Sequence, residues 1–248
     1  MDTYSRGPEA VVFDFDGLVF DSETAIFQAA VATLAELGHQ LTVEAWATVI
    51  GLGEDDSWKR LCETLGAEID RELYEAGYAR QDRSWRDTLP ALPGVVELLD
   101  ALRVDGVPCA IASSSPVRWV QGHLDRLGLA DHFAVLATAD RVSGRAKPAP
   151  DTYVLACSEL GVAPRRSVAL EDSAPGIAAA LGAGLAVVAV PSHITVHTDL
   201  SAATHTVASL AEVTVADLAS LVPRWGSGSG GARETEPPVR TESEPPVG

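Results

Sequence analysis

Cysteine, methionine and lysine are all scarce in this chain of 248 residues. The three cysteines, Cys62, Cys109 and Cys157, lie far apart without metal-ligand spacing, and their odd number argues against a disulfide framework. No run of about 18 apolar residues occurs, so no transmembrane helix is predicted. The polar start, residues 1–10, lacks the apolar stretch of a secretion signal. A reducing cytoplasm is the expected location. Lys59 and Lys147 are the only lysines; arginine supplies the other positive charges, and the net charge is −17. Such a chain repels nucleic acid and anionic membranes, so neither is expected as a partner. It also repels phosphate esters at long range, so any phosphate chemistry needs a local cation. Each lysine is therefore informative.

What is present is material for a core: 46% of the residues are hydrophobic. Residues 10–15, Ala-Val-Val-Phe-Asp-Phe, read as a buried parallel strand running into acid. Asp21 or Ser22 can cap a helix reaching Gly38, with Ile26, Ala30, Leu34 and Leu37 on one face. Further helices are predicted over 42–50, from the acidic Glu54-Asp55-Asp56 to a stop at Gly66, and through Ile69, Leu73 and Ala76. No strand is expected between 22 and 89. From Leu92 onward helix and strand alternate. Pro93, Pro116 and Pro150 each open a predicted helix, and strands are predicted at 109–112, 135–137, 168–170 and 186–190. The helix over 176–182 is built of small residues that allow close packing on a sheet.

This alternation implies an α/β fold, a Rossmann-like doubly wound parallel sheet with an inserted all-helical cap. The expected boundaries are 1–21 and 90–225 for the core and 22–89 for the cap. Residues 226–248, rich in Gly, Ser, Pro and Glu, read as a disordered tail.

In such a sheet ligands bind beyond the carboxyl ends of the strands. Asp14 and Asp16 end the first strand, Ser113-Ser114-Ser115 the second, Glu171-Asp172 the fourth, and Lys147 stands in a turn before a helix. Clustered carboxylates require protons or a cation, and an oxygen-only set suits Mg²⁺. With Mg²⁺ and Lys147 neutralising a phosphoryl group, Asp14 can attack phosphorus and become an aspartyl phosphate. Asp16 can protonate the leaving oxygen and then activate water. Ser113 is the expected phosphate-binding hydroxyl, with Ser114 the alternative.

Residues 14–21, Asp-Phe-Asp-Gly-Leu-Val-Phe-Asp, resemble the first motif of the haloacid dehalogenase superfamily. Ser113, Lys147 and Glu171-Asp172 fall in order where its other three motifs belong. Lys147-Pro148-Ala149-Pro150-Asp151 and residues 170–177, Leu-Glu-Asp-Ser-Ala-Pro-Gly-Ile, are similar to the β-phosphoglucomutase-like and sugar-phosphatase branch. The resemblance spans about residues 9–221. It implies a metal held by the Asp14 carboxylate, the Asp16 backbone carbonyl and Asp172, with Glu171 assisting indirectly or through a water. It also implies that the helical insert is a mobile cap that excludes water and reads the leaving group.

The expected function is therefore Mg²⁺-dependent hydrolysis of a small phosphorylated metabolite, with sugar phosphates leading, by a monomer or weak dimer. A β-phosphoglucomutase-type phosphomutase and a phosphoryl-binding regulatory protein are the alternatives. Against a mutase, Gly51-Leu52-Gly53-Glu54-Asp55-Asp56 is acidic where mutases carry a Ser-Arg pair, and Ile26 replaces a histidine; Lys59 and Arg60 stand near enough in sequence to compensate. Asp21 is expected to be only a helix cap, Cys109 a packing residue, His193 and His197 loop residues rather than zinc ligands. Trp46, Trp58 and Trp85 are expected in the cap core.

Overall fold

Apolar strands buried on both faces pair most readily in parallel under a double layer of helices, and this arrangement is what the computed structural model, which describes residues 7–223, contains. Strand β1 (Val11–Phe13) is flanked by β2 (Cys109–Ser113) and β4 (Val168–Glu171). The sheet continues to β3 (Phe133–Thr138) on one side and to β5 (Ala186–Ala189) and β6 (His205–Thr206) on the other. The order is β3-β2-β1-β4-β5-β6, and every pairing is parallel. The crossovers run outward from β1 in both directions, so the crevice at its carboxyl end is the switch point where a ligand can enter.

Alternation along β1 divides the core. Val11 and Phe13 face a cluster with Leu98, Leu99 and Leu102 of α6 (Val95–Val104) and Val120 and Leu124 of α7 (Val117–Leu127). Val12 faces the opposite cluster, with Tyr153, Ala156 and Cys157 of α8 (Asp151–Leu160) and Ile177, Ala179 and Ala180 of α9 (Ala174–Ala183). The last helix, α10 (Val215–Ser220), starts at a capping box made by Thr214 and Asp217.

Between β1 and β2 the chain forms α1 (Ser22–Glu36), α2 (Val43–Ala47), α3 (Glu54–Leu65), α4 (Arg71–Arg80) and the short α5 (Trp85–Thr88). Asp21 caps α1 by accepting from the Thr24 amide at 3.1 Å, and Gly66 ends α3 in the left-handed region, both as predicted. These helices have their own apolar cluster, with Leu34, Trp46, Ile50 and Leu61 at its centre and Trp58 beside it. Ile194, from the loop after β5, inserts into that cluster and ties the insertion to the sheet. Trp85 departs from expectation: it packs on the main core, its ring 6.1 Å from that of Trp119.

Helix starts and the sheet edge differ from expectation: Pro150, like Pro93 and Pro116, precedes its helix, since α8 begins at Asp151. Pro93 does not open α6, because Gly94 occupies the cap position with φ +87°. Pro116 is likewise extended and lies outside α7, whose first amide, Val117, is satisfied by the Asp140 carboxylate at 3.1 Å. Strand β6 has only two exposed residues, too short and too polar to carry a periodic signal. The predicted tail, 226–248, lies outside the described residues. No helix among the described residues is long and apolar enough to cross a membrane.

Gly94 is required twice over, by its positive φ and because a Cβ there would lie 2.0 Å from the Ala211 amide nitrogen. Gly94→Ala should destabilise the protein by at least about 2 kcal/mol in urea unfolding, since left-handed strain adds to a backbone clash.

Candidate active site

The carboxyl ends of β1, β2 and β4 bring the sequence-predicted residues together. Asp14 leaves β1, Ser113 closes β2, Glu171 closes β4 and Asp172 follows it. Lys147 enters from the loop before α8, after which the Lys147–Pro148 peptide is cis. It is 1% exposed, a burial that an ammonium tolerates only with partners. It has two: Asp14 Oδ1, and Glu171 Oε1 at 2.5 Å.

Glu171 is held from every side. Its Oε1 also accepts from the Tyr153 hydroxyl at 2.7 Å. Its Oε2 accepts from the amides of Asp172 (3.1 Å) and Ser173 (3.2 Å) and from the Ser173 hydroxyl (3.1 Å). Room for this carboxylate comes from Gly176, where a Cβ would lie 1.9 Å from Oε1. Asp172 is the opposite case: its Oδ2 is buried and has no hydrogen-bond partner.

Oxygens of Asp14, Glu171 and Asp172 lie within 4.8 Å of one another. Three buried carboxylates thus face one ammonium. Burial raises the Asp14 carboxyl to about 7; Lys147 opposes the rise and Glu171 adds to it. Asp172 is pushed well above the usual carboxylate range by burial, then by Asp14 and Glu171. For Lys147 burial alone would lower the pKa, but Asp14 and Glu171 outweigh it and the ammonium is stabilised. Excess negative charge, an orphaned Asp172 oxygen and an oxygen-only donor set fit a hard divalent cation. Glu171, with both oxygens occupied, fits the role of holding Lys147 better than that of a direct ligand.

The Asp16 carboxylate stands apart from this cluster. Its Oδ1 accepts from the Ser22 hydroxyl (2.8 Å) and the Trp119 indole N–H (2.9 Å), its Oδ2 from the Ser115 hydroxyl (2.7 Å). The serine run divides its work. Ser113 Oγ accepts from the Ser115 amide at 3.0 Å, which leaves its own hydrogen free, whereas Ser114 Oγ donates to the Gly51 carbonyl of the insertion at 3.0 Å.

Above these residues is a cavity of about 350 Å³. Asp14, Asp16, Ser113, Ser114, Ser115 and Lys147 form its floor; Glu23, Ile26, Trp46, Ile50, Leu52 and Glu54 are on the insertion side. Among the described residues that line it, Lys147 is the single cation. Glu23 is pushed up to about 8, mainly by burial, with Asp16 and Asp14 adding to the rise.

Sequence reasoning missed Ser22, Glu23, Ser115, Trp119 and Tyr153. Ser115 was available as the third of a serine run, and Glu23 reads as an ordinary first-turn acid. Trp119 and Tyr153 carry no local signal, because an aromatic residue on a helix reads as core until the fold shows where its polar tip reaches.

Removing the ammonium leaves buried carboxylates uncompensated, so Lys147→Met should cost about 3–5 kcal/mol in urea unfolding at pH 8. The loss should be smaller at pH 5.5. A carboxyl whose folded pKa is raised, as for Asp14, contributes stability at low pH that disappears as pH climbs through that pKa.

Comparison with known proteins agrees with this geometry. Residues 8–184 match the family model for haloacid dehalogenase-like hydrolases. The chain is 38% identical over 190 residues to the protein YhcW of Bacillus subtilis strain 168, covering 75% of this chain and 85% of that protein. It is 32% identical over 178 residues to a phosphorylated carbohydrates phosphatase of Thermotoga maritima, covering 71% and 82%. A crystal structure of a hydrolase of the same family from Deinococcus radiodurans R1, with bound phosphate and sodium, superposes with a TM-score of 0.70 at 29% identity, covering 89% of this chain and all of that one. The parallel sheet, the four motifs gathered at the carboxyl ends of its strands and in the loop before α8, and these relatives agree: the chain belongs to the haloacid dehalogenase-like hydrolase family.

Proposed function

We propose that this protein is a Mg²⁺-dependent phosphatase that hydrolyses a small phosphomonoester, with sugar phosphates the leading class, through an aspartyl phosphate on Asp14. The observation that carries the reading is the meeting of Asp14 and a buried lysine on the floor of one cavity, with an orphaned Asp172 oxygen beside Asp14. The Thermotoga relative, named for phosphorylated carbohydrates, supports the substrate class.

Asp14, Asp172 and the Asp16 backbone carbonyl would hold Mg²⁺, which when bound supplies positive charge against the phosphoryl oxygens. Lys147 adds its ammonium to the same face, and Ser113, whose hydroxyl hydrogen is free, donates to a phosphoryl oxygen in preference to Ser114. The Asp14 carboxylate attacks phosphorus while Asp16 protonates the departing alkoxide. Asp16 then takes a proton from the water that attacks the aspartyl phosphate, returning both acids to their starting state. Residues 22–89 act as the cap. They roof the cavity and are fastened to the floor by the Ser114–Gly51 bond, which limits water at the reacting centre. The cytoplasm suits the three cysteines, all of them free.

The wall charge favours hydrolase over mutase. A mutase must rebind a bisphosphate with its second phosphate gripped by the cap, and the cations near enough in sequence are committed elsewhere. Arg71 pairs with Glu54, Asp55 and Glu75, while Lys59 and Arg60 lie against Glu63 on the exposed face of α3. Glu23, Glu54 and Ile26 line the cavity instead.

A panel of phosphorylated metabolites assayed for released phosphate identifies the substrate. In that assay Asp14→Asn should retain at most a few per cent of wild-type turnover, about the loss expected when a nucleophile is removed without changing shape. Excess EDTA should silence the wild type and Mg²⁺ restore it; full activity in EDTA would remove the metal from the mechanism. With β-glucose 1-phosphate and a trace of the 1,6-bisphosphate, phosphorus NMR should show inorganic phosphate and little glucose 6-phosphate. The reverse product ratio would make the protein an isomerase.

A further inference from the structure

Trp119 has no place in the family motifs, yet it touches the one acid that must move a proton twice. Its indole N–H donates to Asp16 Oδ1 at 2.9 Å, alongside the Ser22 hydroxyl. The other oxygen, Oδ2, receives only the Ser115 hydroxyl. The donors differ in kind. A serine hydroxyl can rotate and become an acceptor, whereas an indole N–H can only donate. Oδ1 is therefore kept as the oxygen without a proton, and Oδ2 is left to carry it.

The indole is itself held in place. His123 packs edge-on against the ring at 4.3 Å, and Trp85 lies 6.1 Å away. The Arg86 guanidinium sits over the Trp119 ring at 5.1 Å. Trp85 and Arg86 belong to α5, the segment by which the insertion returns to the core, so the clamp on Asp16 is braced by the helical insertion as well as by His123 of its own helix α7.

We propose that Trp119 is a positioning residue for proton transfer, directing the acid proton of Asp16 to Oδ2 and holding that carboxyl at the leaving oxygen. This rests on Asp16 being the acid and base of the proposed hydrolysis. In the first half-reaction the Oδ2–H bond breaks and its proton goes to the leaving oxygen as the P–O bond to it breaks and the bond to Asp14 forms. In the second, Oδ2 recovers a proton from the water that displaces phosphate from Asp14. Protons balance over the cycle, and Oδ1 remains an acceptor throughout.

Leaving-group dependence tests the proposal, because kcat/KM reports the first half-reaction, in which an alkoxide needs a proton and p-nitrophenolate departs without one. Trp119→Phe keeps a ring and removes the N–H. It should lower kcat/KM for glucose 6-phosphate by about tenfold or more, part of what general acid catalysis supplies, and for p-nitrophenyl phosphate by less than about twofold. Should Trp119→Phe fold poorly, 3-benzothienylalanine at position 119 preserves the bicyclic shape without the N–H and should give the same split. Asp16→Asn, run in parallel, should show the split more strongly. If Asp16→Asn shows it but the position-119 variants lower both substrates equally, or neither, the role given to Trp119 is wrong and the hydrolysis reading stands. If Asp16→Asn itself shows no split, Asp16 is not the acid, and the role of Trp119 falls with it.

Discussion

Everything at the switch point is arranged around one buried ammonium. Lys147 lies between Asp14 and Glu171 at 1% exposure, where an unpaired charge would cost several kcal/mol. The ion pair is not strong because it is buried. It persists because each remaining oxygen of Glu171 is occupied, by Tyr153 from α8 and by Ser173 and two backbone amides from the start of α9. Two helices on one face of the sheet thus fix the acid that fixes the lysine. Gly176 belongs to the same constraint, since any larger residue would occupy the space of the Glu171 carboxylate.

The ammonium neutralises only part of the charge. Asp14 and Asp172 remain crowded, and Asp172 Oδ2 faces no donor at all. In a chain of net charge −17 such a pocket cannot draw a phosphate ester by long-range attraction. Binding has to come from short-range neutralisation, by Lys147 and a cation, once the substrate is enclosed. The insertion, the proposed cap, supplies the wall opposite the floor. It leaves the core directly after β1, turns on Asp21 and Ser22, and returns through α5. Its grip on the floor includes the Ser114 hydroxyl, Ile194 and the Trp85–Trp119 contact.

Much of this was legible in the sequence, for identifiable reasons. Apolar runs ending in acid or serine mark strands whose carboxyl ends face one crevice, and a lysine among arginines stands out. Four of the five longer strands and the insertion's helices follow from periodicity and from stops such as Gly66. The strand β3 was legible only at its centre, because Ala134 is exposed and interrupts the buried run. Proline misled three times: at 93, 116 and 150 it precedes the helix instead of opening it, and at 93 the requirement that decides, a positive φ at Gly94 packed on Ala211, involves a segment more than 100 residues away in sequence. The partners of Asp16 were hidden for the same reason. Ser22, Ser115 and Trp119 come from three separate elements, and only the fold brings them to one carboxylate.

That convergence explains how two aspartates, two residues apart, can take different parts. Alternation within a strand would put residues two apart on one side, but β1 ends at Phe13, so Asp14 and Asp16 both lie beyond it, where the chain turns toward Gly17 at φ +84° and that rule no longer holds. Asp14 faces the lysine and two other acids and accepts no hydroxyl hydrogen bond among the described residues, which suits the proposed role of offering its oxygens to a cation and to phosphorus. Asp16 faces three neutral donors, which orient it without supplying a compensating charge. A carboxyl held by neutral groups can lose or gain a proton without breaking an ion pair, as the acid-then-base role proposed for Asp16 requires. Exchanging the two environments would tie up the proposed nucleophile with hydroxyl and indole donors and set the proposed acid in an ion pair with Lys147, so that each proton transfer would break that pair. The asymmetry between the two environments, more than the presence of two carboxylates, is what suits the site to the two-step hydrolysis proposed for it.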